Sequence, residues 1–230
     1  MSDLPEDLFA NPVWHALNTK HRHLASWSGT ACRYPANVAP FAAVEAPGAA
    51  SLQDLHALLE TSESVWLIGT GFPETAGLSF ESTLPCLQMV LPADIEVPAS
   101  NAEIVTLSET NAADMVALTD IAFPGFFRPC TWRMGSYCGI RFDGNLTAMA
   151  GERLQLEGYP EISGVCTHPA FRGRGLAAEL IWHLVRAHRR DGLVSWLHVG
   201  SANRNAIELY LKLGFRSVRE VTLHRVVRTD

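Results

Sequence analysis

The sequence predicts an α/β fold of the mixed α+β kind, a sheet flanked by helices, and three observations carry that prediction. Strand-like apolar runs alternate with helix-period segments from about residue 103 to residue 227. One of those segments, Arg174–Arg190, sets Leu176, Ala177, Leu180, Ile181, Leu184, Val185 and His188 along a single stripe. A loop rich in glycine and arginine, Arg172-Gly-Arg-Gly-Leu-Ala177, joins that helix to the strand before it. With 230 residues and 47% hydrophobic content, the chain can bury a full core as one large or two small domains.

In chain order, a strand is expected at Pro40–Glu45 and a helix from Ser51 to about Glu60, opened by Ser51-Leu-Gln-Asp54 in a capping-box arrangement. Strands follow at Ser64–Gly69 and Leu84–Leu91. The stretch Pro92–Asn101, with two prolines and small polar residues, is the best candidate boundary between a unit of residues 1–100 and one of residues 101–230. Beyond it come a strand at Glu103–Ser108, a helix at Asn111–Phe123 and a loop or short helix through Phe126–Met134. Strands at Ser136–Phe142, Leu146–Leu156 and Glu161–Thr167 precede the long helix. The chain closes with a strand at Val194–Val199, a helix at Asn203–Leu213 and a strand at Ser217–Val227. Arg189 and Arg190 suit the negative end of the long helix, and Gly192 suits the left-handed position just past it.

Composition narrows the function. A formal charge of −6 and a pI near 5.8 argue against a nucleic-acid surface. Five cysteines form no C-x-x-C pair and read as reduced thiols in a reducing compartment. Nine histidines form no metal signature, so no metal is expected. The acidic start Met1-Ser-Asp-Leu-Pro-Glu-Asp7 is unlike a signal peptide, and no apolar run approaches the roughly 20 residues that span a bilayer. A cytoplasmic protein with no membrane partner is expected.

The loop carries the chemistry. At the start of a helix several backbone N–H groups lack an acceptor, and the helix dipole adds positive potential, which together suit a diphosphate. Gly173 and Gly175 let the chain curl close to an anion, and Arg172 and Arg174 add directed donors. Read as Gly173-x-Gly175-x-x-Ala178, the loop matches a dinucleotide fingerprint only weakly. Its glycines lie well past the strand, no acidic residue ends the next strand, and too little chain remains for a doubly wound sheet.

Read as Arg172-x-x-Gly175-x-Ala177, the loop resembles the acetyl-CoA pyrophosphate loop of the GNAT superfamily of N-acetyltransferases. The later block follows in order: Val199-x-x-x-Asn203-x-x-Ala206-x-x-x-Tyr210-x-Lys212-x-Gly214-Phe215. The resemblance is specific over residues 161–216 and, by element order alone, extends back to about residue 103. It implies a GNAT fold with a mixed, splayed central sheet, acetyl-CoA as co-substrate and an amine acceptor. The 1–100 unit is then an additional small α/β domain. Packing on the transferase, shaping the acceptor pocket and forming a homodimer are all open to it.

Carried over residue by residue, the resemblance implies that Arg172, Gly173, Arg174, Gly175, Leu176 and Ala177 hold the diphosphate. Main-chain groups of Val165, Cys166 and Thr167 receive the pantetheine arm like an added strand, and an N–H among them faces the thioester oxygen. An ordinary buried strand would carry the same side chains. Asn203 matches the family's cofactor-contacting asparagine and suits a plain helix N-cap equally. Tyr210 matches the general acid. A phenol near 10 protonating a thiolate near 8.5 is uphill by roughly 2 kcal/mol, so a hydrogen bond to the developing charge is the better reading of its role. Glu161 is the candidate base, with Glu152 and Glu157 as rivals, and each suits a solvated strand end as well. Pro124–Arg133, with its aromatics and two arginines, is the candidate acceptor segment. Direct attack of an amine on acetyl-CoA is the expected chemistry. A non-catalytic acyl-CoA-binding module is the alternative, and it has no need of Tyr210 or a base.

Overall fold

The computed structural model describes residues 5–100 and 102–230. Its strands fall into two sheets. A small sheet of three strands, β1 (Ser26–Ser28), β2 (Ala31–Arg33) and β3 (Ala42–Val44), is antiparallel throughout. The main sheet has eight strands: β4 (Ser64–Ile68), β5 (Leu78–Val90), β6 (Val105–Leu107), β7 (Tyr137–Phe142), β8 (Asn145–Leu156), β9 (Tyr159–Thr167), β10 (Trp196–Gly200) and β11 (Arg216–Arg228). Their order across the sheet is β4-β11-β5-β10-β9-β8-β7-β6. All neighbours are antiparallel except β9 and β10, which are parallel.

The helices are α1 (Glu6–Ala10), α2 (Pro12–Asn18), α3 (Ala49–Leu58), α4 (Ala112–Ala122), α5 (Leu176–Arg190) and α6 (Arg204–Lys212). The predicted stripe of α5 is buried through Leu180, Ile181, Leu184 and Val185. It packs on Met89, Ala148, Ala150, Ile162 and Leu197, together with Tyr210 of α6. A second core joins Phe9, Val13, Ala16 and Leu17 of the first two helices to Tyr34, Phe41 and Trp196. Trp196 has no exposed surface and meets the Phe9 ring edge-on at 4.9 Å.

The proline-containing stretch 92–101 does not part the main sheet. β5, on the N-terminal side of that stretch, is hydrogen-bonded to β10 on one side and β11 on the other, and β4 pairs with β11. The apolar density of Leu87–Leu91 has its reason here, since β5 is an interior strand, and that of Val65-Trp-Leu-Ile68 lies in the burial of Val65, Leu67 and Ile68 on β4, the strand at the end of the sheet. The prolines mark a crossing instead. Residues 92–100 run over α5 toward the far edge of the sheet, where the Pro92 and Pro98 carbonyls accept from Arg189 at 3.1 Å and Arg186 at 2.9 Å. Such an extended crossing has no need of proline's missing N–H.

Two local expectations are corrected. α3 begins at Ala49 with Gly48 as N-cap, and the residue expected to close a capping box, Asp54, instead accepts from Thr30 N–H and Oγ at 2.8 and 2.9 Å. Short α1, α2, β1 and β2 lie outside the sequence prediction, and the last two are only three residues long.

Candidate active site

β9 and β10 share one register pair, Glu161 with Trp196, and then diverge. The edge of β9 from Ile162 to Thr167 is paired with β8 alone. A bulge helps to turn it: Met149 faces Cys166 and Gly151 faces Ser163, leaving an extra residue on β9 where Gly164 adopts φ +62°. A bulge with a left-handed glycine re-aims the strand beside it. The result is a strand edge with spare backbone groups at the mouth of a gap in the sheet.

The predicted loop opens into the same gap. Gly173 and Gly175 both have φ +77°, and nothing lies within 4 Å of the place a Cβ would take at either. Their glycine identity therefore answers to backbone conformation rather than crowding. Gly175 is the N-cap of α5, with no side-chain cap. The first helical bond runs from Glu179 N–H to Gly175 C=O at 3.1 Å, so the amides of the first turn have no helical acceptor. Arg172 folds back to the Thr167 carbonyl at 3.3 Å, and the Arg174 guanidinium sits 4.9 Å from the centre of the Phe171 ring.

One cavity of about 840 Å³ connects these parts. It is lined by Val165, Cys166, Thr167, every residue from Arg172 to Ala177, Asn203 and Tyr210. Asn203 caps α6, its Oδ1 accepting from Ala206 N–H at 3.2 Å, while its Nδ2 has no partner among the described residues. Tyr210 packs edge-on against Phe215 at 5.8 Å, and its hydroxyl likewise has no partner among the described residues. Burial, with a contribution from the Glu161 charge, pushes its pKa up to about 12. The phenol is thus neutral throughout the physiological range and can donate.

Glu161, in contrast to the other predicted residues, lies beneath the cavity wall with no exposed surface. Its carboxylate accepts from Arg153 Nε and Nη2 at 2.9 and 2.6 Å, from Leu154 N–H at 3.1 Å, and from His198 Nδ1 at 2.7 Å. Burial alone would raise its pKa, but the Arg153 charge and the His198 contact overcome it and hold the carboxylate well below the usual range. A group so held binds a proton poorly at neutral pH. The expected base role does not fit this geometry. Of its rivals, Glu152 is engaged by His188 Nε2 at 2.9 Å and Ser136 N–H at 3.0 Å, and Glu157 sits in the β8–β9 turn.

His198 and Arg153, unremarked in the sequence, line the cavity in its place. The cross-strand register sets His198 opposite Gln88, whose Nε2 lies 3.1 Å from the ring Nε2 and donates to Phe9 C=O at 2.8 Å. Turning the amide over would set two carbonyl oxygens against each other, so Phe9 fixes its orientation. The ring thus donates from Nδ1 to Glu161 on one side and faces the Gln88 NH₂ with its Nε2 on the other. The N-terminal hundred residues also contribute Ala39, Phe41, Leu84 and Cys86 to the wall, and the Pro124–Arg133 segment contributes Phe126, Phe127 and Thr131. A lone arginine and a lone histidine inside apolar strand runs were the sequence signals for these positions.

Among the described residues no His/Cys/Asp/Glu group could hold a metal ion, and no helix is long and apolar enough to cross a membrane. Residues 111–215 match the model of the acetyltransferase (GNAT) family. No curated protein matches the chain. A crystal structure of a GNAT-family protein from Novosphingobium aromaticivorans DSM 12444 is similar, with 36% identity, a TM-score of 0.87, and coverage of 99% of this chain and 100% of that one. A GCN5-related N-acetyltransferase from Kribbella flavida is 20% identical with a TM-score of 0.61, covering 96% of each chain. A GCN5-related N-acetyltransferase-like protein from Streptococcus suis 89/1591 is 14% identical with a TM-score of 0.59, covering 99% of this chain and 95% of that one. The last two share the fold. A bulged, half-paired β9, a left-handed double-glycine loop and a full-length relative at 36% identity lead to one conclusion: the chain belongs to the GNAT family of acetyltransferases.

Proposed function

We propose that the protein is an acetyl-CoA-dependent N-acetyltransferase acting on a primary amine of a small molecule or peptide by direct attack. The observation that carries this reading is the continuity of the cavity. It runs from the α5 amides, along the unpaired edge of β9, past Tyr210, to an aromatic end. When bound, acetyl-CoA supplies an acetyl group activated as a thioester.

The residues fit such a co-substrate. The Arg172–Ala177 amides and arginines hold a diphosphate, with the helix-dipole share worth about 0.3–1 kcal/mol and the directed bonds supplying the rest. Main-chain groups of Val165, Cys166 and Thr167 take an extended arm as an added strand, and an N–H among them stabilises an oxyanion. Asn203 Nδ2 and the Tyr210 hydroxyl are left free to donate, the latter toward a leaving thiolate. Glu161 serves as a positioning residue that fixes Arg153 and His198.

Direct attack is favoured over a covalent acyl-enzyme because the cavity's thiols are poor nucleophiles. Burial pushes Cys86 up to about 11 and Cys166 up to about 12, so both are neutral thiols at pH 7. All five cysteines are free, in keeping with a reducing, cytoplasmic setting.

The test is a thermal-shift titration followed by an amine screen. Acetyl-CoA at 100 times its Kd stabilises by about 2.7 kcal/mol through mass action. NAD leaves the melting temperature unchanged. Thiol released from acetyl-CoA on adding an amine then reports turnover. Stabilisation by NAD and none by acetyl-CoA rejects the reading, and stabilisation by acetyl-CoA without thiol release from any amine favours a binding module.

A further inference from the structure

The aromatic end of the cavity has a well-defined chemistry. The Phe41 and Phe126 rings stack at 6.0 Å, and the Arg153 guanidinium lies over the Phe41 face at 4.8 Å. Leu84, Met134 and Leu223 complete an apolar wall. Among the described residues that line the cavity there is no aspartate or glutamate.

The titratable groups at this end come from six elements, and none is a free base. On β8, Arg153 is a cation already paired with Glu161. On β10, His198 has one ring nitrogen donating to Glu161 and the other facing the Gln88 amide. Cys86 of β5 and Cys166 of β9 are protonated thiols, and burial likewise keeps the phenols of Tyr137 on β7 and Tyr210 on α6 neutral. An alkylammonium that enters this pocket therefore finds nothing to take its proton and no carboxylate to offset its charge.

On the acetyltransferase reading above, we infer that the acceptor is a primary amine of low basicity carried on an aromatic or apolar body, bound in its neutral form. The rings and the closed Glu161–Arg153–His198–Gln88 network both select for it. The transfer balances without an enzyme base. The amine lone pair forms the N–C bond, the C–S bond breaks, and the surplus proton on nitrogen passes to the leaving thiolate, directly or through water. The products are the N-acetyl amide and CoA thiol.

Proton occupancy gives the expected magnitude. A side-chain amine near 10.4 is neutral in about 1 molecule in 2,500 at pH 7, whereas an α-amino group near 7.7–8.0 is neutral in about 1 in 10. Phenylalaninamide and 2-phenylethylamine share a ring and differ in the basicity of the amine, and spermidine carries several charges and no ring.

With the full-length protein and saturating acetyl-CoA, thiol release at pH 7 should give phenylalaninamide a kcat/KM at least about tenfold above 2-phenylethylamine, with spermidine lowest. As pH rises, kcat/KM should climb and level off at each acceptor's own pKa, so the two aromatic profiles break at different pH. Phe126→Ala should raise KM for phenylalaninamide and keep the thermal shift from acetyl-CoA. A common break near neutrality for both aromatic amines overturns the inference, because a shared break belongs to an enzyme base. So does preference for spermidine, or silence from all three amines while acetyl-CoA still binds. Failure of acetyl-CoA to bind at all overturns the underlying reading, and the inference with it.

Discussion

Replacing Tyr210 with phenylalanine isolates one hydroxyl. The Tyr210 ring packs against Phe215 at 5.8 Å, and the hydroxyl has no protein partner among the described residues. The substitution keeps the packing and breaks no internal hydrogen bond, so stability should change by no more than about 0.5 kcal/mol, roughly 1–2 °C in Tm for a chain of this length. Catalysis should change far more. With the phenol at about 12 and a thiol near 8.5, full proton transfer climbs about 5 kcal/mol, so in the proposed reaction the hydroxyl acts by donating a hydrogen bond to the developing charge. Loss of one such preorganised donor costs about 2.7–4 kcal/mol, or 10²–10³ in kcat. Acetyl-CoA affinity should stay within about threefold, because the interaction matters mainly in the transition state. Steady-state thiol release, with a parallel thermal-shift titration, reads both quantities. Unchanged kcat in the phenylalanine variant removes Tyr210 from the mechanism. Equal losses in kcat and acetyl-CoA affinity would show that the hydroxyl supports binding instead.

Gly175→Val should abolish the acetyl-CoA thermal shift while leaving the protein folded. A β-branched residue at φ +77° is strained by about 1–3 kcal/mol, although space for its Cβ is open. Residues 102–230 produced alone should fail to fold, seen as absent near-UV circular dichroism, because removing β5 strips β10 and β11 of their shared neighbour; a folded, acetyl-CoA-binding fragment would refute this. His21 donates to Met134 C=O at 2.9 Å and accepts from Tyr34 at 2.7 Å, and burial lowers its pKa from 6.5 to about 4. Its contribution is complete above pH 6.5 and should fall by about 3 kcal/mol as pH drops to 4, where the unfolded chain binds the proton first. Urea midpoints at pH 7 and pH 4 should therefore differ less in His21→Gln than in the parent, and equal differences would show that His21 titrates normally.

What the sequence made legible was strong periodicity and unusual backbone conformation. The α5 stripe and the two left-handed glycines announce themselves because few side-chain patterns mimic them. The first turn of α6 was equally plain from Asn203, although only coordinates show its Oδ1 committed to the cap and its Nδ2 free. The partners of Glu161 were not legible, because a motif match and strand periodicity give a residue's place and say nothing of its contacts. Arg153 lies eight residues away on β8, and His198 lies 37 away on β10. The meeting of His198 with Gln88 depends on the register of β5 against β10, which no local signal fixes. The stretch 92–101 read as a linker because prolines mark a surface crossing and a domain boundary alike. Elements as short as β1 and β2 carry too few residues to show a period.

The placement of β11 has a consequence for how the molecule comes into being. β4 and β5 are neighbours in sequence, yet they are held apart in the sheet by the thirteen residues of β11, made after every other strand of that sheet. While the chain is being synthesised, both strands therefore present open edges to a slot that nothing can fill. Leu223, part of the cavity wall, arrives only with that strand. The nascent protein can assemble much of its loop and its long helix, but it cannot own a complete pocket before β11 has been made. Closing so long a loop also slows the final step. That interval, with two unpaired edges and apolar faces exposed, is when the protein is most open to aggregation and most dependent on chaperones.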